Sequence, residues 1–246
     1  MLFFNRRKRY FFEYENDIHA HVLPGLDDGV KTMDEAVMIV KRMERVGLKR
    51  LTCTPHVVYP AMINTPKDVE SMLFVLKSRL REEGVRVEVD SGAEYRMGEF
   101  MLEVLERGEI MASNRGEVLV EHSFVGPSNY VDDILFGLQG RGFCPVLAHP
   151  ERYLAFIRSP KKTLQFRNET GAMLQLNADT VLSPRNYWER RFTEYLLKEG
   201  AVDAIASDAH DCINRPVNME AAYQWLTLHT DATYAKELVT FGGELT

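Results

Sequence analysis

Tyr14–Gly29 reads YENDIHAHVLPGLDDG. Its first half, Asp17-Ile18-His19-Ala20-His21, has the character of a short strand, and successive side chains on a strand point to opposite faces. Asp17, His19 and His21 are therefore expected on one face, with Ile18 and Ala20 on the other. Two imidazoles aimed at one point make a natural metal grip, because neutral imidazole suits first-row transition metals. A lone His-x-His carries little weight. This one gains weight because metal-binding residue types recur at the ends of the later strands.

Outward from this stretch, strand and helix alternate almost to the C-terminus. Thr32-Met33-Asp34-Glu35 has the form of a capping box and opens an amphipathic helix to about Val46, stopped at Gly47. Leu48–Thr54 is expected as a second strand, and Thr65-Pro66 starts a helix to about Glu83, with Pro66 at the favoured first position. A third strand over Val85–Glu94 and a short helix around Gly98–Arg107 follow. Glu117–Glu121, Cys144–Ala148, Gly171–Asn177 and Val202–Ser207 supply strands four to seven. Helices are expected over Ser128–Gly140, Thr163–Glu169, Arg185–Glu199, Pro216–Leu228 and Ala232–Thr240. Seven strands alternating with helices predict an α/β protein whose parallel sheet closes into a barrel. No linker, low-complexity tract or repeat divides it, so a single domain is expected over residues 14–246, preceded by a leader, residues 1–13. In such barrels the active site sits at the C-terminal ends of the strands.

Those ends carry the chemistry. The first strand offers His19 and His21, with Asp28 in the loop behind it. The second offers His56, the third Glu94, the fourth Glu121, the fifth His149, and the seventh Asp208 and His210. Only the sixth strand offers nothing. These nine candidate ligands, five imidazoles and four carboxylates, exceed what one ion uses. Carboxylates bridge, so two or three ions fit the count. A donor set of imidazole and carboxylate without thiolate favours Mn, Fe or Zn over a soft-metal site. Four carboxylates alone would repel one another. Three divalent ions would leave the site at about +2, a charge suited to an anionic substrate and a metal-bound hydroxide, which is a strong nucleophile near neutral pH. Arg152, in His149-Pro150-Glu151-Arg152, and Arg215 stand close by in sequence, and a guanidinium fork matches phosphate oxygens. His122, next to Glu121, is expected to face the opposite way, and His229 to sit in solvent at a helix end.

Composition narrows the function classes. A formal net charge of −6 lacks the basic footprint of a nucleic-acid binder. Hydrophobic content of 45% supports a sizeable core. Three cysteines make no disulfide framework and point to a reducing cytoplasm, and no apolar run approaches a membrane span. None of Cys53, Cys144 and Cys212 is followed by an arginine six residues on, which excludes the cysteine-dependent phosphatase motif, and no Walker-type loop is present. The basic cluster Arg6–Arg9 follows the first apolar residues and has no long apolar stretch behind it, unlike a signal peptide.

His19-Ala20-His21, Thr54-Pro55-His56, His149-Pro150-Glu151-Arg152 and Ser207-Asp208-Ala209-His210 resemble the PHP (polymerase and histidinol phosphatase) superfamily. The stretch DIHAHVLPGLDDGVKTMDEA is similar to one branch of it, the manganese-dependent tyrosine-protein phosphatases of capsular and exopolysaccharide operons. The resemblance runs from about Asp17 to Arg215 and implies a distorted seven-stranded (β/α)7 TIM-like barrel with three metal ions, manganese by preference and Fe or Zn as alternatives. It implies one ion held by His19, His21, Glu94 and Asp208, a second by Glu94, Glu121 and His149, and a third by Asp28, His56 and His210. Arg152 and Arg215 fall where the family places phosphate-binding arginines. The implied substrate is the phosphotyrosine tail of a bacterial tyrosine kinase; the alternative is a small phosphoester such as histidinol phosphate. A non-catalytic scaffold is a third reading, but it expects decayed ligand positions, and all nine are filled. Two stretches depart from the family pattern, Val57-Val58-Tyr59 after His56 and His122-Ser123-Phe124 after Glu121.

Overall fold

Pro55 and Gly92 interrupt the strand pairing and so shape the fold. The computed structural model describes residues 14–124 and 126–241; the leader expected over residues 1–13 lies outside the described residues. The nine described strands are β1 (Asn16–Ala20), β2 (Arg50–Cys53), β3 (His56–Val57), β4 (Glu88–Ser91), β5 (Glu94–Arg96), β6 (Glu117–Glu121), β7 (Cys144–Ala148), β8 (Met173–Asn177) and β9 (Ala204–Ala206). The second expected strand, Leu48–Thr54, is β2 and ends at Cys53; β3 is a further short strand beyond Thr54-Pro55, where proline has no N–H to give to a ladder. The third is split into β4 and β5 at Gly92-Ala93, beside the first break. The ladder steps across both breaks at once, with Gly92 N–H donating to Cys53 O at 2.9 Å and Glu94 N–H to Pro55 O at 3.1 Å.

All strand pairs are parallel. They form two sheets, β1-β2-β4 and β3-β5-β6-β7-β8-β9, rather than one closed ring of seven. The C-terminal ends of β1 and β9 meet: a parallel bridge joins Ala20 to Ala209, His21 N–H donates to Ala209 O, and Asp208 N–H donates to His19 O, both at 2.8 Å. This contact brings the segment carrying His19 and His21 beside the one carrying Asp208 and His210. Ile18, Leu119, Val146, Ala148, Ala204 and Ala206, from β1, β6, β7 and β9, form a small apolar cluster of their own. The larger core lies between strands and helices.

Helix Met33–Arg45 shows how local signals fix an element. Thr32 Oγ1 accepts the Glu35 N–H at 3.2 Å, while the Glu35 carboxylate accepts from Lys31 N–H instead of closing the reciprocal box. Its apolar face buries Ala36, Val37, Ile39, Val40 and Met43, and a fully buried Val or Met contributes about 1.5–3 kcal/mol. Thr65 and Asp68 do close a capping box, at the head of helix Pro66–Glu82. The 3₁₀ turn Pro150–Arg152 and the short helices Leu154–Ile157 and Ala178–Leu182 are not expected from the sequence, because three to five residues carry too little periodicity to read. Among the described residues no helix is long and apolar enough to cross a membrane, and all three cysteines are free.

Candidate metal centre

Alternation along β1 was expected to place Asp17 beside His19 and His21. It does not, because the pairing register slips between Asp17 and Ala20. Asp17 turns to the Tyr14 hydroxyl and the Ser207 N–H, the latter at 3.2 Å. His19 and His21 stay together, with their Nε2 atoms 3.1 Å apart.

Glu94, at the first position of β5, is the hub. Its Oε2 lies 3.3 Å from Nε2 of both His19 and His21 and 2.9 Å from His56 Nδ1. Its other oxygen lies 2.7 Å from His149 Nε2. Asp208 is arranged in the same way. Its Oδ1 is 3.3 Å from His19 Nε2 and 3.4 Å from His21 Nε2. Its Oδ2 accepts from Arg152 at 2.8 Å, from Asn177 at 2.6 Å, and from Arg215. Asp28 Oδ1 is 3.5 Å from Nε2 of His56 and of His210, and Glu121 Oε1 is 3.9 Å from His56 Nδ1.

All nine residues singled out in the sequence therefore meet in one place. Donor atoms of His21, Asp28, His56 and His210 lie within 4.8 Å of one another. So do those of His19, Glu94 and His149, of His19, His21 and Asp208, and of His56, Glu94 and Glu121. These groupings overlap the sets implied by the family resemblance without copying them: His56 stands with Glu94 and Glu121, and His149 with His19 and Glu94.

The donor chemistry fits cations. Glu94 Oε2, Asp208 Oδ1, His56 Nδ1 and His210 Nε2 are buried with no hydrogen-bond partner among the described residues, and an unsatisfied buried polar atom costs about 1–3 kcal/mol. Divalent ions would satisfy them. The imidazoles are also turned the right way. His19 Nδ1 faces Gln175 Oε1 at 2.9 Å, His21 Nδ1 faces Asp27 Oδ2 at 2.6 Å, and His210 Nδ1 faces Asp208 O at 2.9 Å. Each acceptor takes the Nδ1–H and leaves Nε2 bare toward the cluster. Tyr153 Oη lies 3.1 Å from His149 Nδ1.

Electrostatics follow from crowding. Burial alone would raise Glu94 and Asp208. For Glu94 the imidazoles of His56, His19 and His149 overturn this; for Asp208 His19, His21, Arg152 and Arg215 do, so both stay well below the usual carboxylate range. Burial and the Glu94 charge push Glu121 up to about 7. Burial presses His149 and His210 down to about 4, which keeps them neutral as ligands must be. Burial also acts to lower His21, but the carboxylates of Asp208, Asp27 and Glu94 close around it outweigh this and raise it well above the usual value. His149 and Asp208 have left-handed backbones, φ 36° and 50°; among the described residues they are the non-glycine positions with positive φ, a strain often found at functional sites.

Sequence reasoning missed the supporting residues. Asp27 has the same side chain as its neighbour Asp28, and only Asp28 is expected from the sequence as a ligand. The sixth expected strand, β8, is not empty: Gln175 and Asn177 hold His19 and Asp208. Arg96 bonds Glu121 at 3.0 Å. His122 is where it was expected, away from the cluster, ringed by Tyr153, Phe156 and Phe166, and burial alone lowers it to about 4. His229 stacks on Trp225 at 4.0 Å.

Comparison with known proteins adds a second line of support. Residues 15–244 match the family described as capsular polysaccharide synthesis, CpsB/CapC. The chain is 28% identical over 229 residues to the tyrosine-protein phosphatase CpsB of Streptococcus pneumoniae, covering 90% of this chain and 93% of that protein. It is 28% identical over 211 residues to the putative tyrosine-protein phosphatase CapC of Staphylococcus aureus, covering 84% and 81%. Among solved structures, those of YwqE from Bacillus subtilis and CpsB from Streptococcus pneumoniae, described as metal-dependent tyrosine phosphatases, include a chain that superimposes with a TM-score of 0.80 at 26% identity, covering 91% of this chain and 94% of that one.

Proposed function

The chain belongs to the CpsB/CapC family of capsular polysaccharide synthesis, and from that premise we propose that it is a metal-dependent protein-tyrosine phosphatase, a phosphoric monoester hydrolase. Its substrate is the phosphotyrosine tail of a tyrosine kinase that regulates capsule or exopolysaccharide synthesis, and it acts in the cytoplasm. Residues 14–246 form one PHP phosphatase domain. Its two sheets are halves of a distorted seven-stranded (β/α)7 barrel, in which β2 with β3 and β4 with β5 are bent single strands; the Ala20–Ala209 bridge supports this closure.

The observation that carries the function is the convergence of nine imidazole and carboxylate groups on Glu94 and Asp208, with Arg152 and Arg215 bonded to the outer oxygen of Asp208. His19, His21, Asp28, His56, Glu94, Glu121, His149, Asp208 and His210 would hold the metal, three manganese ions by our reading. Bound divalent ions supply a nucleophile at neutral pH and offset phosphoryl charge. The protein's own groups do the rest. Gln175 and Asp27 fix the tautomers of His19 and His21. Arg152 and Arg215, with side chains 23% and 30% exposed, keep N–H groups available for phosphoryl oxygens, whose charge builds during transfer. Asp28, 61% exposed, marks the open side of the cluster, which suits a polypeptide tail better than a small enclosed substrate. The small phosphoester of histidinol type is accordingly not favoured. A panel of phosphotyrosine peptide, phosphoserine peptide and histidinol phosphate, assayed with manganese, tests the proposal; turnover of histidinol phosphate alone would overturn it.

A further inference from the structure

We infer that a slot beside the metal cluster, walled by the stacked rings of Tyr59 and Phe100 and bounded by Arg96, receives the aromatic ring of an aryl phosphoester. This rests on the phosphatase function proposed above and names the groups that read the ring.

The slot is built by the elements that carry the cluster. Tyr59 follows His56 by three residues, on a turn closed by paired hydrogen bonds between Val58 and Met62, both 2.8 Å. Phe100 stands at the start of helix Glu99–Glu106, four residues beyond Arg96. The two rings are stacked, with centroids 5.1 Å apart and planes 24° apart. Arg96 ends β5, two residues after Glu94, and its guanidinium links slot and cluster. It bonds Glu121 at 3.0 Å and stands 5.7 Å from the centre of the Phe124 ring. Its Nε is buried without a hydrogen-bond partner. Tyr59, Arg96 and Phe100 line a cavity of about 510 Å³.

Chemistry selects the occupant. Tyr59 remains 62% exposed and Phe124 59%, and exposed aromatics grouped at a site rim mark a binding surface. A further ring would stack on the Tyr59–Phe100 pair, and Arg96 offers a cation to its face. Glu99 and Glu103 also line the cavity. They repel a phosphoryl dianion, so the charged end of the ester belongs with Arg152 and Arg215 and the neutral ring here.

Binding of two phosphonates to the manganese-loaded protein isolates the ring. Benzylphosphonate carries it and methylphosphonate does not. Wild type should prefer benzylphosphonate, and Tyr59→Ala should cut that preference about 2- to 10-fold, the worth of one aromatic pair. Tyr59→Phe should restore it. The exposed position of Tyr59 makes unfolding an unneeded explanation, and a thermal melt checks it. A wild type without ring preference, or a Tyr59→Ala protein that keeps the full preference, overturns the slot. Failure of wild type to release phosphate from a phosphotyrosine peptide is a separate result, and it overturns the proposed function instead.

Discussion

Asp27 Oδ2 stands 2.6 Å behind His21 Nδ1, on the side of the ring away from Glu94 and Asp208. The same carboxylate accepts the N–H of His56 at 3.0 Å and of Gly29 at 2.9 Å. Burial would raise Asp27, but its bond to His21 and the two N–H groups bring it down to about 2. One side chain thus orients one proposed ligand and anchors the backbone of another.

Replacing it should loosen the metal without removing a ligand. Asp27→Asn keeps the shape and loses the charge, and mutating such an outer partner costs about 10- to 100-fold in metal affinity. Manganese affinity measured by equilibrium dialysis checks this; wild-type affinity in the variant would remove Asp27 from the site.

Chelation should abolish phosphatase activity, and manganese should restore it. The grounds are four buried donor atoms with no hydrogen-bond partner and the absence of a cysteine nucleophile motif. Full turnover in EDTA, with metal removal verified, would count decisively against a metal-dependent mechanism.

Arg152→Ala and Arg215→Ala should each lower kcat/KM. Losing one charge-assisted hydrogen bond costs about 1.5–3 kcal/mol, or about 10- to 150-fold in rate. Each arginine also bonds Asp208, but Asn177 and the other arginine remain on that oxygen, so bound manganese should stay near the wild-type level. Lysine should rescue only partly, because it keeps the charge and loses the fork. Wild-type kcat/KM in both variants would return these arginines to a purely structural role.

Acid should expel the metal. Burial favours a neutral His21, but the nearby carboxylates of Asp208, Asp27 and Glu94 prevail and raise it, so the metal-free cluster holds a proton that binding must displace. The metal-free protein therefore binds more protons than the loaded one, and affinity falls as pH falls. Manganese affinity should therefore already decline through neutral pH, below the raised His21 value, and fall further as His149 and His210 take up protons at about 4. Metal content after dialysis at a series of pH values gives the curve, and unchanged stoichiometry at pH 5 would contradict it.

Gly29→Ala should destabilise the fold. A Cβ there would lie 2.2 Å from His21 O and 2.5 Å from His21 Cβ, and neither atom has a flexible tail to swing away. Overpacking of this kind costs about 1–3 kcal/mol. At about 2–4 °C per kcal/mol for a chain of this size, a thermal melt resolves it; an unchanged melting temperature would show that the LPGLDDG loop is free to shift.

Much of this was legible along the chain. Glu117–Glu121, Cys144–Ala148 and Ala232–Thr240 have the bounds expected of them, because apolar alternation and helix caps act over a few residues. The strand breaks at Pro55 and Gly92 were visible as residue types, but nothing local said that they would fall side by side and divide the strands between separate sheets. Asp27 and Asp28 are equivalent in sequence. Only the packing of the loop sends Asp28 to His56 and His210 and Asp27 behind His21. Gln175 and Asn177 escaped notice because amides are poor metal ligands by type, and their partners lie 156 and 31 residues away.

The sequence by itself determined most element types, the strand ends at which the nine imidazole and carboxylate residues stand and the identity of those nine residues, since each depends on residue chemistry and short-range periodicity. The tertiary structure decided which atoms meet. Glu94 reaches His19, His56 and His149 only because β1 closes onto the end of β9 and β5 lies between β3 and β6. It also decided which nitrogen of each imidazole is left bare and which oxygen of Asp208 the arginines take. Those outcomes depend on contacts between residues far apart in the chain, and they are set by burial, by register and by the pairing of most polar atoms that folding removes from water.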